Sequence, residues 1–357
     1  KMVDRLQLTD VRVGLAQQKL EIGTLELRVK PLLLLAGTVA LQELVIKDVR
    51  IQDNTPGDNK PPVLAWPNVS ETAHLFDGRI ARLLVTNLSY RRLQEQPVQI
   101  SSLAGSVTWL GGALSIGGLK LESPSGRISG VLTANFNKPS LTADLAVALA
   151  QPLAEMDQFS LQIRKSRELN SESLAGMIAV TASAGTRKLL EIGGDVGMAR
   201  NAFSLRRIHL SRPGRKGEVT ADGSLAFTTP EPVLTLQVKV AGLDLTPELN
   251  VPADLSGSLK FAGTPDSYRG DFTLANQAHG WQAASVSAAY HGTREGMKLA
   301  LLNARIIDGT LAGNLDLNWR DGFTMQGAVN GRNLNPARIA PEWKGVANFN
   351  ASGNLAR

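Results

Sequence analysis

Apolar side chains recur at every second position along much of this chain: Leu25, Leu27, Val29; Leu141, Ala143, Leu145, Val147, Leu149; Leu234, Leu236, Val238, Val240; Leu299, Leu301. Successive side chains of a strand point to opposite faces, so each run predicts a strand with one buried and one solvated face. Turn signals punctuate the runs at Gly111-Gly112, Asp222-Gly223, Asn250 to Pro252, Asp308-Gly309 and Asp321-Gly322. Together they predict an antiparallel meander joined by hairpins. At about 8–12 residues per strand and about 4.8 Å between strands, the chain would form roughly 30 strands in a ladder on the order of 140 Å long. Two proline-opened stretches, Pro67–Phe76 and Pro152–Asp157, predict short helices.

Two internal repeats shape this expectation. The first is Leu6-Gln-Leu-Thr-Asp10-Val-Arg-Val13, Leu44-Val-Ile-Lys-Asp48-Val-Arg-Ile51 and Leu83-Leu-Val-Thr-Asn87-Leu-Ser-Tyr90, at separations of 38 and 39 residues. Its apolar positions run i, i+2, i+5, i+7. That change of parity implies one extra residue, a β-bulge, beside an Asp or Asn that tolerates unusual backbone, and a repeated bulge curls a sheet. The second repeat sets a small or turn residue and a glycine before alternating apolar positions: Ser129-Gly130, Asp222-Gly223, Ser256-Gly257, Ala312-Gly313 and Ser352-Gly353. In its fullest copy two strands flank a turn at Gly263–Asp266. Repeats of this size imply a quasi-one-dimensional array. The polar, proline-bearing stretch Asp53–Pro62 reads as a linker, and Arg164–Ser173 as a loop between strands. The expected division is a first curled β segment over 1–53, a linker with a short helix over 54–76, and continued β repeats over 77–357.

Composition removes several chemistries. With no cysteine there is no disulfide, thiolate metal site or cysteine nucleophile. The four histidines, His74, His209, His279 and His291, have no metal-ligand spacing, and His279 and His291 read as strand ends. The pairs Gly117-Gly118 and Gly193-Gly194 lack the Lys-Ser/Thr of a phosphate loop and read as turns. No catalytic, metal-binding or cofactor-binding residue is assigned, and the expectation is a protein that is not an enzyme. The net charge is +6, and residues 160–220 carry eleven Lys/Arg against five Asp/Glu, an excess equal to that total. Basic strand edges explain it, with contact to anionic lipid headgroups as the alternative; no aromatic residues interleave to stack on nucleic-acid bases. The apolar run Leu32–Leu41 is about half the roughly 20 residues a bilayer-spanning helix needs. With 9 Phe, 5 Trp and 3 Tyr, the apolar faces are mainly Leu, Val and Ala, which suit acyl chains better than sugars.

Several segments resemble the TamB-type translocation and assembly module subunit, of the AsmA-like superfamily. Leu6–Asp10–Val13, Leu32–Leu35 and Leu44–Asp48–Ile51 look like the segment that follows the family's membrane anchor. Asp308-Gly-Thr-Leu-Ala-Gly-Asn-Leu-Asp-Leu-Asn-Trp319, then Gln326-Gly327, Asn333-Leu334-Asn335 and Ala340-Pro-Glu-Trp343, is similar to the middle of such proteins and is the most specific match. The chain opens Lys1-Met2-Val3-Asp4 and reads as a piece of something longer, without the family's N-terminal inner-membrane anchor or its C-terminal partner-binding domain.

The resemblance implies an all-β fold: an elongated, twisted, U-shaped antiparallel sheet, taco-like, with an apolar inner groove. It further implies a periplasmic protein anchored to the inner membrane of a Gram-negative envelope. The implied work is moving phospholipids between inner and outer membranes and supporting outer-membrane protein and autotransporter assembly, with a barrel partner of the TamA or BamA type. The alternative is a β-augmentation scaffold or chaperone for outer-membrane proteins without lipid transport. Groove candidates for acyl chains are Leu225, Phe227, Leu259, Phe261, Phe272, Leu274, Leu315 and Leu317. On pattern alone these eight fit an open groove or the core of a closed sandwich; the resemblance favours the groove.

Overall fold

The computed structural model describes residues 5–15, 17–29, 38–55, 77–93, 95–153, 155–170, 173–228, 231–246, 250–280, 283–320 and 322–356. Their 21 strands belong to one sheet, antiparallel in every described pairing but one. Two compact units divide it. The first holds β1 (Arg5–Leu15), β2 (Gln18–Val29), β3 (Thr38–Asp53), β4 (Asp77–Arg92), β5 (Val98–Leu110), β6 (Ala113–Ser123), β7 (Gly126–Asn135), β8 (Ser140–Leu153), β9 (Met156–Asn170) and β10 (Ser173–Ala184). Residues of β11 (Arg187–Ala199) belong to both units. The second holds β12 (Ala202–Ser211), β13 (Glu218–Ala226), β14 (Val233–Asp244), β15 (Asp254–Thr264), β16 (Ser267–Asn276), β17 (Ala284–Thr293), β18 (Gly296–Ile306), β19 (Gly309–Asn318), β20 (Thr324–Leu334) and β21 (Ala347–Ala356).

In the first unit consecutive strands from β1 to β10 pair antiparallel, except that β3 and β4 run parallel. The first sequence repeat accounts for that exception. Leu44 lies opposite Leu83, Ile46 opposite Val85, Val49 opposite Leu88 and Ile51 opposite Tyr90, so the 39-residue offset between two copies is the register of the parallel pair. Through β2 the first copy aligns as well: Leu6, Leu27 and Leu44 form one cross-strand row, and Val11, Ile22 and Val49 another.

Asp10, Asp48 and Asn87 have φ of 53°, 58° and 55°, the left-handed backbone expected of them. The expected extra residue is absent. Register runs unbroken from Thr9 to Val11 against Thr24 to Ile22, and from Lys47 to Val49 against Thr86 to Leu88. Neighbouring strands change face at the same level, so the parity shift is a crease across β1 to β4. Gly23 makes room for it, since a Cβ there would stand 3.0 Å from the Asp48 Cβ, and Asn87 Nδ2 donates to Asp48 Oδ1 at 2.9 Å.

Bulges with an extra residue occur farther along. In the second unit the register shifts on β12 between Leu205 and Ile208, on β14 between Val240 and Leu243, on β18 between Leu299 and Leu302, and on β20 between Gly331 and Leu334. Each contains one left-handed residue: Arg207, Gly242, Leu301 and Asn333. A bulge orphans an N–H of the ladder. Three of these N–H groups find an acceptor on the following strand: Arg207 N donates to Asp222 Oδ1 (2.9 Å), Gly242 N to Ser256 Oγ (3.0 Å) and Asn333 N to Asn348 Oδ1 (2.8 Å). The second sequence repeat thus acquires a role in two copies, Asp222-Gly223 and Ser256-Gly257, where the small polar residue receives a bulge. The glycine beside it admits the next strand: a Cβ at Gly257 would lie 2.1 Å from the Thr273 carbonyl oxygen.

Several expectations are corrected. Among the described residues there are 21 strands of 9–16 residues, fewer and longer than predicted, because creases and bulges carry a strand through a change of parity that reads in sequence as its end. For the same reason Asp222-Gly223, Gly117-Gly118 and Gly193-Gly194 lie inside β13, β6 and β11 and are not turns. Pro152–Asp157 is not a helix: Leu153 pairs with Met156 across a tight β8–β9 hairpin in which Glu155 has φ of 70°. Arg164–Ser173 is largely strand, since β9 runs to Asn170 and its ladder continues through Arg164, Arg167 and Glu168 against Met177, Ala175 and Leu174. Backbone pairing there extends beyond the apolar run that marks the strand in sequence. Gly111-Gly112 and Asp308-Gly309 do mark hairpins, and Pro265-Asp266 turns β15 into β16. Pro67–Phe76, Asp321 and most of 54–76 lie outside the described residues.

Candidate functional site

In the second unit the alternation of every strand is in phase with its neighbours, and this builds the site. One cross-strand row runs Leu205, Gly223, Leu236, Phe261, Gly270, Tyr290, Leu299, Leu315, Gly327 and Gly353, from β12 to β21. A second row on the same face carries Leu225, Leu234, Tyr268, Met297, Leu317 and Met325. The bulges insert their extra residue without losing this phase, so one face is apolar from end to end of the unit.

All eight predicted residues bear on that face. Leu259 and Phe272 are directly opposed on β15 and β16, Leu274 faces Gly257, and Leu315 and Leu317 face Leu299 and Met297. Phe227 follows β13 and sets its ring 6.3 Å from that of Phe203, edge to face. Leu225, Phe261 and the other predicted residues are half-buried, while Leu274 is 38% exposed. Within the unit, substantial strand contacts join ladder neighbours only, so no second sheet of described residues covers this face. Among the described residues no large side chain is fully buried. A closed sandwich core is therefore not what these residues form.

Two tyrosines that alternation alone did not single out stiffen the face. Tyr268 and Gly270 on β16 pair with Gly292 and Tyr290 on β17, so each tyrosine lies opposite the other's glycine. Tyr290 lies over Gly270 and donates its hydroxyl to the Lys260 carbonyl on β15 at 2.7 Å; Tyr268 lies over Gly292 and reaches the Gly296 carbonyl on β18 at 3.3 Å. The rings of Phe261, Tyr268, Tyr290 and Phe272 form a chain with centroids 5.3, 6.3 and 6.4 Å apart. Burial pushes both phenols above their ordinary pKa. The signal for the pair was present in sequence as two Tyr/Gly pairs at equal spacing on adjacent strands, legible only with the register known.

The opposite face is polar. Lys260 stands 3.7 Å from Asp271, Lys298 3.1 Å from Asp316, and Ser258 Oγ 3.0 Å from Thr273 Oγ1. Two depressions, of about 910 and 530 Å³, are lined mainly by side chains of this polar face. Leu274 borders the first and Phe261 the second; the other six predicted groove residues border neither. His209 Nδ1 lies 3.7 Å from a Glu218 carboxylate, an exposed pairing across β12 and β13. Among the described residues no three His, Asp or Glu side chains converge as metal ligands would, and no helix is long and apolar enough to cross a membrane.

The arrangement defines a class: repetitive, open, single-layer antiparallel sheets with one apolar face, suited to extended apolar partners. Residues 215–356, which include β13 to β21, match the family model for TamB, N-terminal domain, and this supports a fragment of a TamB-type protein. The match contains the stretch from Asp308 to Trp343 that carried the most specific resemblance. No curated protein and no solved structure matches the chain. Proteins of this type belong to the translocation and assembly module of the Gram-negative envelope and act with outer-membrane assembly partners.

Proposed function

We propose that the apolar face of the second unit carries phospholipid acyl chains, as part of a periplasmic conduit between inner and outer membranes that supports outer-membrane protein and autotransporter assembly. The observation that carries this reading is the apolar row from Leu205 to Gly353, mostly half-buried and covered by no second sheet of the unit's described residues. Each methylene removed from water contributes about 0.8 kcal/mol, so an acyl chain along several strands is held by several kcal/mol without a directional contact that fixes its position. Sliding is then passive. It requires no nucleophile, metal or cofactor, and the reading assigns no catalysis; inner-membrane anchoring and a TamA- or BamA-type partner belong to the longer protein of which this would be a piece.

A second reading, a scaffold for incoming outer-membrane strands, has one observation in its favour. Among the described residues β21 pairs only with β20, which leaves a row of backbone donors and acceptors on its other side for strand addition. A photoreactive side chain at Leu259 separates the two readings from one at Ser258, its neighbour on the polar face. Lipid crosslinks at Leu259 and not at Ser258 are the expected result in cells. Capture of unfolded barrel protein along β21, with no lipid at Leu259, would replace the conduit by the scaffold.

A further inference from the structure

The larger depression on the polar face has a charge pattern that the apolar conduit does not use. It spans β15 to β20 with a volume of about 910 Å³, and its lining contains two guanidinium groups, Arg305 and Arg332, with no carboxylate. The register fixes their relation. Arg305 on β18 and Arg332 on β20 both face Thr310 on the intervening β19, which puts their Cα atoms two strand spacings apart, about 9–10 Å.

Elsewhere on this face two lysines meet anions. Lys260 and Lys298 are opposed across the ladder by Asp271 and Asp316. Here two guanidinium groups flank a neutral hydroxyl, with no carboxylate in the lining. The carboxylate of the adjoining β18–β19 turn, Asp308, is already engaged by Arg338 at 2.7 and 3.0 Å and by Asn335. Among the described residues Arg305 has no ion-pair or hydrogen-bond partner. Arg332 Nε donates to Asn330 Oδ1 at 3.0 Å, and Asn330 in turn donates to Asn350, so one guanidinium is held in place through its inner nitrogen while its outer N–H groups stay available. Ser285 and Ser287 add hydroxyls to the lining.

We infer that Arg305, Thr310 and Arg332 form a binding site for a phosphate-type oxyanion on the face opposite the acyl-binding surface. Two guanidiniums separated by a hydroxyl can grip oxygens on both sides of one phosphate, and the surrounding hydroxyls suit its polar substituents. A phospholipid headgroup and a soluble phosphate compound share this chemistry. The site stands on its own charges and register and does not depend on lipid transport.

Titration of the full 357-residue chain with inorganic phosphate, and co-sedimentation with vesicles of equal parts phosphatidylcholine and phosphatidylglycerol, distinguish the two sources. The double variant R305Q/R332Q should weaken binding of at least one probe by about tenfold or more, since charge-assisted hydrogen bonds are lost. The control K239Q/K298Q removes the same charge elsewhere on the polar face and should leave binding within about twofold. Loss confined to phosphate assigns a soluble compound, loss confined to vesicles assigns a headgroup, and loss of both assigns the phosphate group that they share. Equal losses in the two double variants, retained binding in R305Q/R332Q, or binding of neither probe by the unmodified chain overturns the site. Circular dichroism of both variants verifies that these exposed substitutions leave the sheet intact.

Discussion

Tyr290 shows how single residues hold a one-layer sheet together. Its ring starts on β17, covers Gly270 on β16 and ends in a hydrogen bond to Lys260 on β15, so one side chain ties three strands together. Tyr268 does the same in the opposite direction, and Tyr90 bonds Asp53 Oδ2 across the parallel β3–β4 pair at 3.2 Å. All three phenols have pKa values raised, first of all by burial, which disfavours the phenolate. Folding thus favours the neutral form. The stability this contributes is complete below the ordinary phenol value of about 10 and is lost as pH rises through the raised native values. Ultraviolet titration of tyrosinate should therefore place the native transition at higher pH than that of the urea-unfolded chain; coincident curves would contradict the packing described.

At the scale of the element, the recurring device is a bulge with a receptor. Arg207, Gly242 and Asn333 each turn an N–H out of its ladder, and Asp222, Ser256 and Asn348 accept them from the next strand. Asp222→Ala removes one acceptor and should cost about 1 kcal/mol, water replacing part of the bond at this exposed site. A urea midpoint that does not move would show that the acceptor is incidental. These features also mark what sequence could and could not disclose. Alternation identified the strands, and the 39-residue repeat held the register of β3 on β4 before any pairing was known. Left-handed backbone at Asp10, Asp48 and Asn87 followed from their residue types. Whether such a residue is a bulge or part of a shared crease was not legible, because periodicity describes one strand whereas register belongs to two. Glycine misled for the same reason: Gly117-Gly118 and Asp222-Gly223 have turn chemistry, yet inside strands the first forms a bulge of β6 and the second receives the Arg207 bulge of β12.

At the largest scale, the consequence is a second unit whose sheet has two faces that differ in chemistry. The eight predicted groove residues fall on one apolar side because they were chosen by parity, and parity survives each bulge. Tyr268 and Tyr290, as well as the arginine pair opposite, depend on cross-strand neighbours and emerged only with the pairing. The match over residues 215–356 supports the TamB-type reading, and the amphipathic sheet gives it a physical basis. The central claim, that acyl chains lie on the apolar face, is tested most directly by purifying the chain without detergent from a bacterial host, extracting it with organic solvent and quantifying phospholipid by mass spectrometry. The account predicts phospholipid in stoichiometric amount, and its loss in Leu259→Asp, a variant that sets a charge opposite Phe272 on a face open enough to leave the sheet folded. A folded, lipid-free chain, or lipid retained undiminished by that variant, would contradict it.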